Sequence, residues 1–299
     1  MADAMTTAVL HPGQMGAAVA GQLRRAGRTE VIWLPEGRSP ATRERAEQAG
    51  LRAVDDIGAL VAESAVVLSV CPSDAAEEVA EQVAAQGFAG IYVEANPIGP
   101  ERVRGIAKRL EAGGATVLDG GILGASGAEM RCYLSGPAEE VGLVRGLFDG
   151  TGVSAIPLEG EVGTASALKL AFALWQKGAR ALAAVSYALA DRYEVAGRLS
   201  AEAGTEAEAE TRRTGRSPLS SPEQYVLPAA VRGWRWELEM GEIAEALSAA
   251  ELPDELPRGV GEVFARWAPL RDRPAGDLGD LGEALALLRT GSRGSADPG

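Results

Sequence analysis

Thr7-Ala8-Val9-Leu10-His11-Pro12-Gly13-Gln14-Met15-Gly16 opens the chain, and Ala17-Ala18-Val19-Ala20-Gly21-Gln22-Leu23-Arg24-Arg25-Ala26-Gly27 follows it. A short apolar run, a glycine turn and a helical pattern in this order read as strand, turn and helix. The first amides of such a helix face the turn, where a dinucleotide pyrophosphate is bound. Gly13 lets the backbone approach the phosphates, and Gly16 lets the helix pack close to the strand. The first glycine of the usual G-x-G-x-x-G pattern is missing. His11, the only histidine of the chain, stands there. Pro12 pushes His11 toward an extended backbone, so the turn must be made without a left-handed residue. His11-Pro12 is then a different way to build the same turn, and His11→Gly is expected to bind cofactor about as well as the parent. His11, Pro12, Gly13, Gln14, Met15 and Gly16 are candidate cofactor contacts.

Working outward, short β-rich runs alternate with helical ones up to about residue 160. Strands are expected at Ala8–Leu10, Glu30–Trp33, Ala65–Val70, Gly90–Glu94, Ala115–Leu118 and Met130–Leu134. This alternation predicts a doubly wound, mostly parallel sheet. After Gly160-Glu161-Val162-Gly163 the chain turns Ala-, Leu- and Glu-rich with no strand pattern. The expected organisation is an α/β domain over 1–160 and an all-α domain over 161–299. Residues 164–193 read as one long helix, apolar on nearly every face and therefore buried all round, with a subunit interface to help bury it. Thr214–Pro222 reads as a loop and 290–299 as a disordered tail.

The chain has 299 residues, 46% hydrophobic and 24% charged, with a net charge of −13. A field of that sign repels nucleic acid and anionic membranes, so neither is an expected partner. Any anionic ligand needs a local basic cluster. Two distant cysteines, Cys71 and Cys132, read as reduced core residues of a cytoplasmic protein, and no zinc or other metal site is expected. No signal peptide pattern is visible at the start. Lys169, Gln176, Lys177 and Arg180 interrupt the apolar stretch from Ala165 to Ala190, which reads as a soluble helix and not a membrane span.

The end of the second strand should read the ribose. Arg38, Ser39 and Arg43 form a compact donor set there, suited to a 2′-phosphate, and Glu36 is the competing residue that would suit NAD. The donor set favours NADP. Val70-Cys71-Pro72-Ser73 ends its strand where ligands bind in open α/β sheets. Cys71 and Pro72 are wall residues in this reading. Asn96 stands where a nicotinamide is expected. It either hydrogen-bonds a cofactor or substrate oxygen or caps the turn before Pro97.

Four motifs together resemble the β-hydroxyacid dehydrogenase superfamily, the group related to 6-phosphogluconate dehydrogenase. They are the turn ending in Gly13-Gln14-Met15-Gly16; Glu94-Ala95-Asn96-Pro97; Asp119-Gly120-Gly121-Ile122-Leu123-Gly124-Ala125; and Gly163-Thr164-Ala165-Ser166-Ala167-Leu168-Lys169. The stretch Gly233–Ile243 extends the resemblance over nearly the whole chain. It implies a Rossmann domain, a helical second domain that forms a homodimer, and an active site between the domains. Lys169 falls at the family's catalytic acid/base, with Asn96 beside it as a second candidate. A lysine in a partly apolar cleft can exchange a proton with a carbinol oxygen. Two positions depart from the family. Ala173 replaces an asparagine four residues after the lysine, and Leu123 replaces a serine in the substrate loop. The expected substrate wall is therefore apolar: Ile122, Leu123, Gly124, Phe172, Ala173 and Trp175. Imine reductases share the fold and a sequence similar to Asp119-Gly120-Gly121-Ile122. Three readings follow: an NADP-dependent oxidoreductase of a small carbonyl or hydroxyl compound, an imine reductase, and a non-catalytic NADP-binding module.

Overall fold

A computed structural model of the chain describes residues 5–124, 129–202, 222–271, 273, 277 and 279–289. The chain divides into two units, Met1–Leu170 and Ala171–Gly299. The division falls inside a helix, ten residues beyond the expected boundary at 160. The cause is local: the first turn of that helix is tied to the sheet by buried polar contacts described below. The expected loop over 214–222 begins outside the described residues, and Pro222 itself opens a helix. The expected tail at 290–299 also lies outside them.

The first unit contains strands β1 (Met5–Val9), β2 (Thr29–Trp33), β3 (Arg52–Ala53), β4 (Val66–Ser69), β5 (Ile91–Glu94), β6 (Thr116–Leu123), β7 (Met130–Ser135) and β8 (Val153–Pro157). They form one sheet in the order β3-β2-β1-β4-β5-β6-β7-β8. All pairings are parallel except β6 with β7. Six helices intervene: α1 (Gln14–Ala26), α2 (Pro40–Gln48), α3 (Ile57–Glu63), α4 (Ala76–Ala85), α5 (Pro100–Glu111) and α6 (Ala138–Leu147). Successive strand residues point to opposite faces, and two cores follow. Val9, Val31, Leu68, Val93 and Leu118 pack with α1 and α6. Ala8, Ile32, Val67, Tyr92 and Val117 pack with α3, α4 and α5. The order reverses between β1 and β4, and a ligand crevice is expected beyond the carboxyl ends of those two strands.

α7 (Thr164–Arg192) spans the division between the units. The second unit otherwise contains α8 (Pro222–Ala249), α9 (Glu255–Ala265) and α10 (Leu281–Arg289). Its core centres on Phe264 and Trp267, both fully buried. The Trp267 indole donates to the Ala284 carbonyl at 2.9 Å. Gly233 of α8 leaves room for both rings, since a Cβ there would lie 3.2–3.3 Å from them. Lys177 and Glu239 form a buried ion pair between α7 and α8, and the ammonium sits 5.4 Å from the Trp236 ring. The expectation that α7 is buried all round fails within the single chain. Trp175, Leu182, Val185 and Leu189 are all exposed. Among the described residues no helix is long and apolar enough to cross a membrane.

Candidate functional site

The turn after β1 is made without any left-handed residue, as Pro12 required: neither His11 nor Gly13 has a positive φ. Leu10 donates its amide to Leu68 of β4 at 3.2 Å, and the Gly13 amide closes a tight turn on the His11 carbonyl at 2.8 Å. Gly13 then caps α1 with its backbone carbonyl, which accepts from Ala17 at 2.9 Å. No side chain caps this helix. Its first amides are thus left to an incoming anion, the arrangement a pyrophosphate needs. Gly16 has no substitute: a Cβ there would lie 2.3 Å from the His11 carbonyl oxygen. Gln14 is exposed, Met15 half-buried and Pro12 buried. The residues present fit a dinucleotide.

The basic cluster forms at the end of β2. Arg38 reaches back to the turn, with Nη1 3.1 Å from His11 Nδ1 and Nη2 donating to the Leu10 carbonyl at 3.2 Å. Ser39 caps α2, accepting from the Thr42 amide at 3.3 Å. Arg43 is exposed and donates to the Arg38 carbonyl at 3.2 Å. Burial and the charges of Arg38 and Arg45 push the His11 pKa down, so the imidazole is neutral and accepts from the guanidinium. Sequence reading placed these residues together but saw neither the His11–Arg38 bond nor Arg45 as part of the cluster.

Asn96 is 1% exposed and its amide is fully engaged. Oδ1 accepts the Cys71 amide at 2.6 Å, and Nδ2 donates to Ser69 Oγ at 3.0 Å and lies 3.2 Å from Cys71 Sγ. The side chain ties the end of β5 to the end of β4. Cys71 is buried, and burial, reinforced by the nearby Glu94, pushes its thiol up to about 11. It lies next to the exposed Pro72.

Ser69, Glu94, Asp119 and Ser135 lie level on four neighbouring strands, and all four are fully buried. Burial pushes the Glu94 carboxyl up to about 8, and the charge of Asp119 adds to the effect. Asp119 is better supplied. Its Oδ2 accepts the amides of Gly163 and Ser166, each at 2.9 Å, and its Oδ1 accepts Ser166 Oγ at 2.6 Å. A carboxylate at this place also complements the positive end of the α7 dipole. Ser135 Oγ accepts the Ala165 amide at 3.1 Å. The first turn of α7 is therefore bolted to β6 and β7. Gly121 permits the approach, since a Cβ there would lie 2.8 Å from the Ala165 carbonyl and 3.4 Å from Lys169 Cβ.

This docking delivers Lys169 to the end of β6, where Nζ donates to the Ile122 carbonyl at 2.8 Å. Burial alone lowers its pKa to about 8. No carboxylate lies within ion-pair distance of it among the described residues. The Asp119–Ala125 segment, expected as a loop, is strand as far as Leu123, because Asp119 and the two glycines let β6 run under α7. Ala125 lies outside the described residues. Ile122 turns its side chain into the first unit's core and Leu123 is buried, while Gly124 is exposed with a φ of 107°. Phe172, Ala173 and Trp175 belong to the second unit. Phe172 is half-buried, Ala173 buried and Trp175 73% exposed.

A mostly parallel sheet of this order, with a glycine turn after its first strand and open amides at the following helix, defines a dinucleotide-binding fold. The chain belongs to the 6-phosphogluconate dehydrogenase-like family. Residues 7–159, just over half of it, match the NAD binding domain of 6-phosphogluconate dehydrogenase. Residues 190–267 match a domain of unknown function, DUF1932. Among solved structures, a conserved protein of unknown function, described as structurally similar to 3-hydroxyacid dehydrogenases, is 25% identical with a TM-score of 0.68, covering 89% of this chain and 98% of that one. The 3-hydroxyisobutyrate dehydrogenase of Mycobacterium tuberculosis, solved with L-serine, is 20% identical with a TM-score of 0.72, over 95% and 99% of the two chains. An imine reductase of Streptomyces aurantiacus is 18% identical with a TM-score of 0.53, over 95% and 99%. No curated protein matches the sequence.

Proposed function

We propose that this chain is an NADP-dependent oxidoreductase of a small carbonyl or hydroxyl compound, with Lys169 as general acid/base. The observation that carries the reading is Lys169 itself: a half-buried lysine with no carboxylate within ion-pair distance among the described residues, lowered to about 8 and held at 2.8 Å by one backbone carbonyl. An ammonium in that state gives up its proton near neutral pH, and the amine takes one back. The bound nicotinamide supplies or accepts the hydride. Asn96, with its amide committed to β4, acts by fixing the Cys71 end of that strand. The α1 turn holds the pyrophosphate, and Arg38, Ser39 and Arg43 receive the 2′-phosphate. In a chain of net charge −13 only such a local cluster offsets the general repulsion of a polyanion.

The test mixes the purified protein with NADPH and a panel of ketones, aldehydes, semialdehydes and cyclic imines, following nicotinamide absorbance. Turnover of carbonyl compounds that depends on Lys169 supports the proposal. Imine turnover indifferent to Lys169→Ala would make the protein a C=N reductase, and binding without turnover would make it a module. Arg38→Ala tests the cofactor. A charge-assisted hydrogen bond is worth about 1.5–3 kcal/mol, so the NADPH dissociation constant should rise roughly ten- to hundredfold while NADH binding barely changes. Equal losses for both cofactors would overturn the NADP assignment.

The same reading includes a homodimer formed through the helical part. Trp175, Leu182 and Leu189 recur every seven residues on α7 with Val185 between them, at 73%, 70%, 63% and 48% exposure. A seven-residue apolar repeat is the seam by which one helix packs on another, and on one chain this seam faces solvent. Burying each Leu182 is worth about 1.5–3 kcal/mol, counted twice in a two-fold dimer. Leu182→Glu should therefore weaken association by at least about a hundredfold, read as the molar mass by light scattering at micromolar protein. A parent that is monomeric at that concentration would refute the dimer.

A further inference from the structure

We infer that His11 is a positioning residue for Arg38, holding the guanidinium beside the β1–α1 turn and thereby setting the preference of the adenosine site for a 2′-phosphate. The inference rests on the NADP reading above and explains why a histidine replaces the usual glycine. Arg38 is pinned at two points, both on the turn after β1: Nη1 on His11 Nδ1 at 3.1 Å and Nη2 on the Leu10 carbonyl at 3.2 Å. A guanidinium only donates, so Nδ1 must offer its lone pair and the imidazole is the neutral Nε2–H tautomer. The charges that act on the ring, Arg38 and Arg45, and its partial burial all favour that neutral form. The turn is cut to fit the ring. A Cβ at Gly13 would lie 3.1 Å from His11 Cδ2 and 3.4 Å from Nε2, so Gly13 makes room for the imidazole as well as for phosphate.

A glycine at position 11 would keep the backbone turn and lose the acceptor. The long Arg38 side chain would then have to be ordered by the ligand itself, and ordering one such side chain weakens binding. Fixing it beforehand favours a ligand that carries the phosphate and does nothing for one that lacks it. The expectation that His11→Gly is harmless is thereby reversed, although the imidazole need not touch the cofactor.

The test is fluorescence titration with NADPH and NADH. His11→Phe keeps a ring but has no acceptor, and should lose about three- to tenfold of the NADPH-over-NADH preference, with NADH binding kept as the sign of an intact fold. His11→Asn places an amide oxygen near the Nδ1 position and should restore the preference, while His11→Gln places its amide near Nε2 and should not. In an Arg38→Ala background the His11 substitutions should have no further effect on the preference. If His11→Phe folds, an unchanged preference, or equal losses for both cofactors, overturns the inference. If it does not fold, the Asn and Gln variants decide: equal preferences in those two overturn it. An Arg38→Ala preference equal to the parent's would instead sink the NADP reading; a preference lost in Arg38→Ala but kept in His11→Phe would sink the His11 role alone.

Discussion

Lys169→Ala should leave NADPH binding unchanged and cut turnover by about 10²–10⁴-fold, the usual contribution of a positioned acid/base. The first unit delivers this side chain to the end of β6 with its pKa lowered to about 8, near the working range. The pH dependence gives the sign. Carbonyl reduction needs the ammonium, so its rate should hold below pH 8 and fall above it. Alcohol oxidation needs the free amine, so its rate should rise through the same range. Lys169→Arg is the sharper control, because a guanidinium keeps the charge but does not release its proton at these pH values. It should be as inactive as the alanine variant. Turnover retained in either variant, with the same pH profile, would remove Lys169 from the chemistry and leave its hydrogen bond to Ile122 as a packing contact.

How far the sequence could be read depended on whether each feature is local. The β1–α1 turn is local, so strand, glycines and helix were legible in the twenty-one residues Thr7–Gly27, and so was the parallel alternation beyond them. β3, at Arg52–Ala53, and β8, at Val153–Pro157, escaped. The first is two exposed residues, and the second is a short edge strand broken by Ser154 and mostly only part-buried, so neither carries the long buried apolar run of a central strand. Asp119 also escaped as an anchor. Its partners Gly163 and Ser166 lie 44 and 47 residues away, and only the fold brings a strand and a helix start together. The same distance hid the role of Gly121, which looks like a loop glycine until α7 is laid over it. The His11–Arg38 bond spans 27 residues and was invisible for that reason, though both residues had been singled out for phosphate binding. Periodicity marks α7 as apolar without saying what covers it, and Trp175, Leu182 and Leu189 are left exposed on the single chain.

Asp119→Ala should destabilise the first unit by about 3–5 kcal/mol, at the upper end for a single substitution. The carboxylate serves four donors at once: two amides at the start of α7, the Ser166 hydroxyl and, at 3.4 Å, the Ser135 hydroxyl. Gly163, Ser166 and Asp119 are all buried, so water does not readily replace it. Each buried donor left unmade costs about 1–3 kcal/mol, and the favourable charge at the helix N-terminus is lost as well. Asp119→Asn keeps one oxygen but turns an NH₂ toward groups that also donate, and should fall between parent and alanine. The measurement is the denaturant midpoint of the NADPH-free protein, followed by a probe of the first unit. A kinetic consequence separates this role from mere stability. Ser166 and Lys169 are three residues apart on α7 and share a face, so a loosened first turn moves Nζ away from the Ile122 carbonyl. The folded fraction of Asp119→Asn should then show a lower kcat with an NADPH affinity close to the parent's, since the β1–α1 turn lies elsewhere on the sheet. An alanine variant within about 1 kcal/mol of the parent, well below the cost of the orphaned donors, would mean that the Ser135 bond to the Ala165 amide and the close packing over Gly121 hold the helix by themselves.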